Sequence, residues 1–155
     1  MPTMTSAGAR ERFARTRVAR LATAGAGGRP HLVPVVFALT GDTVVTAVDH
    51  KPKRSQRLRR LDNIRANPAV CLLVDGYDED WDLLWWARAD GRARVLPPAE
   101  EPAASAEESA ASAAYVRLLA DKYPAQYADR PPRGPVVEIA VDRWSGWQAT
   151  GGGSA

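Results

Sequence analysis

His31-Leu32-Val33-Pro34-Val35-Val36-Phe37-Ala38-Leu39, then Gly41-Asp42, then Thr43-Val44-Val45-Thr46-Ala47-Val48: this stretch reads as two strands meeting at a tight turn. β-branched residues crowd both arms, and the Gly-Asp pair supplies the turn chemistry between them. Upstream, Val18–Thr23 reads as another strand, and Gly25-Ala26-Gly27-Gly28 fits a hairpin turn leading into His31. Those glycines make a poor dinucleotide loop, because strand-like residues follow where a helix would have to begin. Three successive strands joined by turns set an antiparallel sheet.

Downstream, Ala69–Asp75 is apolar throughout, which predicts a fourth strand covered on both faces. Leu83–Leu96 reads as a long fifth strand, bulged at Gly91 and stopped by Pro97-Pro98. Val136–Asp142 is the sixth, introduced by Pro131-Pro132. Between them lie a short helix near Ala9–Arg17, a basic helix from Pro52 to Asn67, and an Ala/Glu-rich helix from Ala99 through Tyr123. Pro68 disfavours helical geometry at Asn67 and marks the exit of the basic helix. The expectation is an α+β, mainly β chain: six antiparallel strands forming a barrel or barrel-like sheet with flanking helices. One domain spans residues 1–155, with a core over about 13–149 and a flexible tail at 150–155.

Charge is concentrated in one place. Lys51-Pro52-Lys53-Arg54-Ser55-Gln56-Arg57-Leu58-Arg59-Arg60-Leu61-Asp62-Asn63-Ile64-Arg65 carries seven bases against one acid. Without it the chain holds 14 Lys/Arg against 17 Asp/Glu, so the overall +3 is local. Lys51, Lys53 and Arg54 fall at the positive end of a helix dipole, where cations are disfavoured. A bound phosphate reverses that penalty, because free N–H groups and cationic side chains both reach it. A solvated basic face with no ligand is the competing reading.

Composition narrows the rest. The apolar fraction of 45% and charged fraction of 25% are those of a soluble globular protein. No stretch approaches the length of a membrane span, and no apolar signal core opens the chain. Cys71 is the single cysteine, so a cytoplasmic location is the default. His31 and His50 are the only histidines and have no carboxylates at ligand spacing, so no metal site is expected. No nucleophile elbow and no Walker loop is present, and no catalytic side chain is assigned.

The order of elements therefore meets three local stretches: Asn63-Ile64-Arg65-Ala66-Asn67-Pro68-Ala69-Val70, Trp85-Trp86-Ala87-Arg88-Ala89-Asp90-Gly91-Arg92-Ala93 and Arg143-Trp144-Ser145-Gly146-Trp147. Together they resemble the split β-barrel flavin and deazaflavin oxidoreductases, relatives of pyridoxamine 5′-phosphate oxidase. Within these the chain is most similar to the actinobacterial class assigned to the deazaflavin coenzyme F420. The resemblance covers Phe13 to Ala149. It implies a homodimer with two coenzyme sites at the subunit interface and a small-molecule substrate. It implies that phosphate rests against Lys51, Lys53, Arg54, Arg57 and Arg60, and that the ring lies on the second and third strands near Pro34, Val35 and Thr46. Trp144 and Trp147 match a region that closes over the site from the partner, or else packs at the dimer seam.

The arginine and histidine pattern of the oxidase's substrate-binding C-terminus is missing, so pyridoxine-phosphate oxidation is not implied. Trp81, Trp85 and Trp86, beside the acidic residues 78–82, are expected in the core or seam ahead of a substrate pocket. The implied chemistry is hydride transfer between the deazaflavin ring and an organic acceptor, with the protein supplying orientation and dryness. The surplus of cations also suits the coenzyme's polyglutamate tail. FMN in the same site, or a non-catalytic flavin, deazaflavin or haem carrier, remains open. Nucleic acid is disfavoured because the surface outside the basic run is net acidic.

Overall fold

The computed structural model describes residues 3–49 and 54–150, with 54–58 described by backbone alone. Its elements are α1 (Ser6–Ala14), β1 (Ala19–Ala24), β2 (Pro30–Val35), β3 (Ala38–Thr40), β4 (Thr43–Ala47), α2 (Arg54–Ala66), β5 (Ala69–Gly76), β6 (Trp85–Leu96), α3 (Ala106–Lys122), α4 (Pro124–Tyr127) and β7 (Val136–Gln148). A 3-10 turn at Trp81–Leu83 precedes β6. All strands join one antiparallel sheet in the order β2-β1-β5-β6-β7-β4-β3.

The six expected strands are seven, because the stretch from His31 to Leu39 breaks at Val36 and Phe37. Residues before the break pair with β1, and residues after it pair with β4. These are opposite edges of the sheet. Two residues span at most about 11 Å between Val35 and Ala38, so the chain draws the edges together and the sheet must curl. β2 and β3 do not pair with each other, so the sheet is not closed by hydrogen bonds. The six-stranded barrel is corrected accordingly.

Side chains satisfy the backbone where the ladder is lost, as buried amides require. Thr46 Oγ1–H donates to the Val36 carbonyl at 2.8 Å. The Phe37 N–H donates to Tyr123 Oη at 3.2 Å, and that hydroxyl faces the carbonyls of Phe37 and Arg17, each at 2.9 Å. The joint is therefore held by Tyr123, the residue between α3 and α4, more than eighty residues away.

Both predicted hairpin turns are present. Gly28 has φ +76° and donates to Gly25 O, while Gly41 has φ +57° between the paired Thr40 and Thr43. Such positive φ angles are open to glycine. The first helix begins earlier than expected, since Thr5 caps it by accepting from Gly8 N–H. The third begins later, at a capping box between Ser105 and Glu108. Pro102 disfavours helix before that point. The register of β6 and β7 shifts between Asp90 and Gly91, leaving Asp142 unmatched on β7. A bulge was expected at Gly91; the extra residue sits on the opposing strand.

The interior forms around Phe13, whose ring lies 4.9 Å from Phe37 and 5.3 Å from Trp144. A second cluster under α3 joins Val45, Leu96, Leu119, Tyr123, Tyr127 and Val136. β5 alternates, with Val70, Leu72 and Val74 buried and Leu73 and Asp75 exposed. The expected coverage of both its faces is thus also corrected: the outer face is open.

Candidate functional site

Helix α2 packs through Leu61 and Ile64, both 2% exposed, and leaves Arg59 exposed and Arg60 half-buried. Asn63 Nδ2–H donates to Thr23 Oγ1 at 3.0 Å and fixes the helix to β1. The half-buried Arg60 and the exposed Arg59 lie close enough to His31 on β2 to hold its imidazole below the ordinary value, although burial is the larger cause. Burial also lowers Arg60, with Asp49 opposing. Arg60 Nε and His31 Nδ1 are both buried without a hydrogen-bond partner among the described residues. Unpaired buried nitrogens carry a penalty that a bound acceptor removes.

Asp49 ends the described segment before the basic run. Tyr127 O–H donates to its Oδ1 at 2.6 Å, and burial followed by this bond raises the phenol above its ordinary range. Tyr127 comes from α4, a helix that sequence reasoning left unassigned; Tyr123-Pro124 was the available signal, with proline at the first helical position. Tyr127 also lines a cleft of about 260 Å³ with Arg17, Val36, Tyr123 and Gln126. The cleft lies beside the β2–β3 joint.

Val35 and Thr46, two of the predicted ring contacts, flank that joint and are 7% and 2% exposed. Pro34 is exposed on β2. Curling of the sheet is what brings them together. Of the predicted phosphate contacts, Arg60 stands beside Asp49, while Arg54 and Arg57 belong to the first turns of α2. Lys51 and Lys53 lie outside the described residues.

The two tryptophans of the C-terminal strand part company. Trp144 is 8% exposed, packs edge-on against Phe13, and donates Nε1–H to Asp42 Oδ1 at 2.9 Å. It is a core residue. Trp147 pairs with Trp86 and lines a second cleft, of about 380 Å³, with Leu73, Gly76, Leu84, Trp85 and Arg88. Trp86 is thus a cleft residue, Trp85 packs against the core with Arg12 over its ring, and Trp81 is 68% exposed. His31 pairs with Thr23, one step past the Ala22–Cys71–Asp90 row, whereas Trp86 is four residues from Asp90. At about 3.3 Å per residue and 4.8 Å per strand, the basic cluster and the tryptophan cleft are more than about 15 Å apart within one chain.

The outer face of the sheet carries Leu32 at 65% exposure and Leu73 at 37%, with Val18, Ala22, Cys71 and Pro34 around them. Arg20 pairs with Asp75 at 3.2 Å and Arg88 with Asp90 at 3.0 Å across it. Among the described residues no cluster of His, Cys, Asp and Glu could hold a metal ion, and no helix is long and apolar enough to cross a membrane.

Residues 6–148 match the family model of pyridoxamine 5′-phosphate oxidase. No curated protein sequence matches the chain. Among solved structures it is similar to a FAD-binding protein from Mesorhizobium loti, at 20% identity and TM-score 0.67, covering 93% of this chain and 94% of that one. It is similar to a conserved hypothetical protein from Mycobacterium tuberculosis, at 21% identity and TM-score 0.68, covering 98% and 89%. The haem storage protein HutZ from Vibrio cholerae aligns at 14% identity and TM-score 0.65, covering 94% and 95%.

Proposed function

The chain belongs to the pyridoxamine 5′-phosphate oxidase family, and on that footing we propose that it is a cytoplasmic oxidoreductase that transfers a hydride between the deazaflavin coenzyme F420 and a small organic acceptor. The observation that carries this reading is the pair of buried, unpaired basic nitrogens, Arg60 Nε and His31 Nδ1, beside the basic run. They fit an anionic group: phosphate oxygens accept from both, and the start of α2 adds free N–H groups and the field of its dipole.

Arg60, with Lys51, Lys53, Arg54 and Arg57, holds the phosphate and the acidic tail in this reading. Tyr127 restrains Asp49 and so fixes where the basic run leaves β4. Thr46 and Tyr123 lock the β2–β3 joint, giving the ring a rigid wall near Pro34 and Val35. When bound, the coenzyme supplies the hydride chemistry; the chain orients it and excludes water.

The working form is a homodimer. Its proposed contact is the outer face around Leu32 and Val18, whose exposed apolar groups a second copy would cover.

FMN shares the phosphate chemistry, so titration with F420, FMN and haem decides among them. F420 is expected to bind most tightly, and Arg60→Gln to weaken it by about 1.5–3 kcal/mol for a lost charge-assisted bond. An unchanged affinity in that variant removes the site assignment. Haem carriage is favoured by one observation, the His31 Nδ1 that has no hydrogen-bond partner among the described residues and is an imidazole nitrogen able to ligate iron. A Soret shift abolished by His31→Ala would select it.

A further inference from the structure

A third cleft, of about 220 Å³, opens between α3 and the proline-rich approach to β7. It shares no residue with the basic cluster or with the other two clefts. Glu100 and Arg133 stand on its rim, both exposed. Neither makes an ion pair or a side-chain hydrogen bond, with the other or with any of the described residues. An acid and a base that line one cleft and stay unmatched suit a ligand carrying both charges.

We propose that this cleft binds a small aliphatic α-amino acid. Its lining is sorted by depth: Pro132 is buried, Ala113, Val116 and Pro131 are half-buried, and the two charges lie outermost. An α-amino acid has the same polarity, with ammonium and carboxylate at one end and an apolar side chain at the other. The ammonium meets the Glu100 carboxylate, the carboxylate meets the Arg133 guanidinium, and the side chain covers the apolar base. None of the lining residues is aromatic, so the cleft offers no stacking to a flat ligand. At about 30 Å³ per water the volume holds about seven waters, which fits valine and is too small for a nucleotide or a peptide.

Both walls are fixed in the free chain. Ser112 O–H donates to the Pro97 carbonyl at 2.7 Å and ties the segment before Ala99 to α3. The Glu101 N–H donates to the Pro98 carbonyl at 3.0 Å, which closes a turn with Glu100 inside it. Across the cleft, Pro131 and Pro132 restrict their own φ angles. Gly134 N–H donates to the Val48 carbonyl at 3.2 Å, and a Cβ on Gly134 would lie 2.6 Å from that oxygen. A ligand therefore meets a preorganised cleft and loses little affinity to ordering.

The site is independent of the oxidoreductase reading, and binding there requires no coenzyme. The test is an amide NMR titration of the full chain with L-valine, 3-methylbutanoate and 2-methylpropylamine. The last two are valine without its ammonium and valine without its carboxylate. Valine is expected to shift the amides of residues 99–101, 113–116 and 133–134. Each half-ligand should bind about tenfold more weakly, as one lost charge-assisted bond implies. Glycine, which has no side chain to cover the apolar base, should also bind about tenfold more weakly. Arg133→Gln and Glu100→Gln alter exposed side chains and so preserve the fold, and each should weaken valine about tenfold. Arg133→Gln should leave the amine's affinity unchanged, and Glu100→Gln that of 3-methylbutanoate. No shift of the cleft amides at millimolar valine, equal affinity for valine and a half-ligand, or valine binding that survives both variants overturns the proposal.

Discussion

Removing one oxygen atom from Tyr123 should loosen the whole sheet. Tyr123→Phe keeps the ring, which is 4% exposed and sits in the cluster under α3. What it deletes is the hydroxyl that accepts from Phe37 N–H and faces the carbonyls of Phe37 and Arg17. Phe37 lies where the chain passes between opposite sheet edges, so its amide has no ladder partner to fall back on. A buried donor left unsatisfied costs roughly 1–3 kcal/mol, and the lost donation to a carbonyl adds about 1 kcal/mol. The sum is about 2–4 kcal/mol. For a chain of this size each kcal/mol moves Tm by about 2–4 °C. Urea unfolding followed by circular dichroism reads the change directly, as a lower midpoint at constant slope. Tyr115→Phe serves as comparison: its hydroxyl bonds the Glu138 carboxylate, which Arg94 also holds. That variant should cost about 1.5 kcal/mol, the low end for a bond to a charged group, because Arg94 still holds the carboxylate. A Tyr123→Phe protein within about 0.5 kcal/mol of native, or no less stable than Tyr115→Phe, would refute the idea that Tyr123 holds the joint.

Lys122 Nζ lies 3.7 Å from the Phe37 ring centroid without a hydrogen-bond partner among the described residues, and burial, then Arg17, lowers its pKa to about 8. Between that value and the unfolded 10.5 the unfolded chain binds more protons, so stability should rise with pH there. Allowing for solvent screening, the rise is about 1–2 kcal/mol. Lys122→Met should flatten it in denaturation curves taken between about pH 7.5 and 9.5, below the range where tyrosines ionise. Gly91→Ala drives a Cβ into the backbone at Ala140, where nothing can yield cheaply; thermal melts should show a loss above about 2 kcal/mol. Ser105→Ala breaks the capping box of α3 and should cost about 1 kcal/mol by the same melts.

Much of this fold is written in local patterns. The β-branched runs, the two glycine turns and the Asn67-Pro68 stop are short-range signals, and each names its element without help from the rest of the chain. The break at Val36 and Phe37 is different. Both residues suit a strand, and nothing in their neighbourhood says that the ladder changes partners there. α4 was missed because four residues carry almost no periodicity, although Tyr127 reaches Asp49 through it. Trp144 and Trp147 are three residues apart and alike in sequence. The bulge at Asp142 and strand alternation turn one into the core and leave the other at a cleft.

Alone, the sequence determined which segments are strands and helices, that the sheet is antiparallel, and that positive charge gathers in one run; each follows from neighbours along the chain. Tertiary structure decided which edges meet, which polar atoms end up buried without partners, and which tryptophans remain available. Those outcomes depend on contacts between residues tens of positions apart, set by the curl that two residues impose on seven strands.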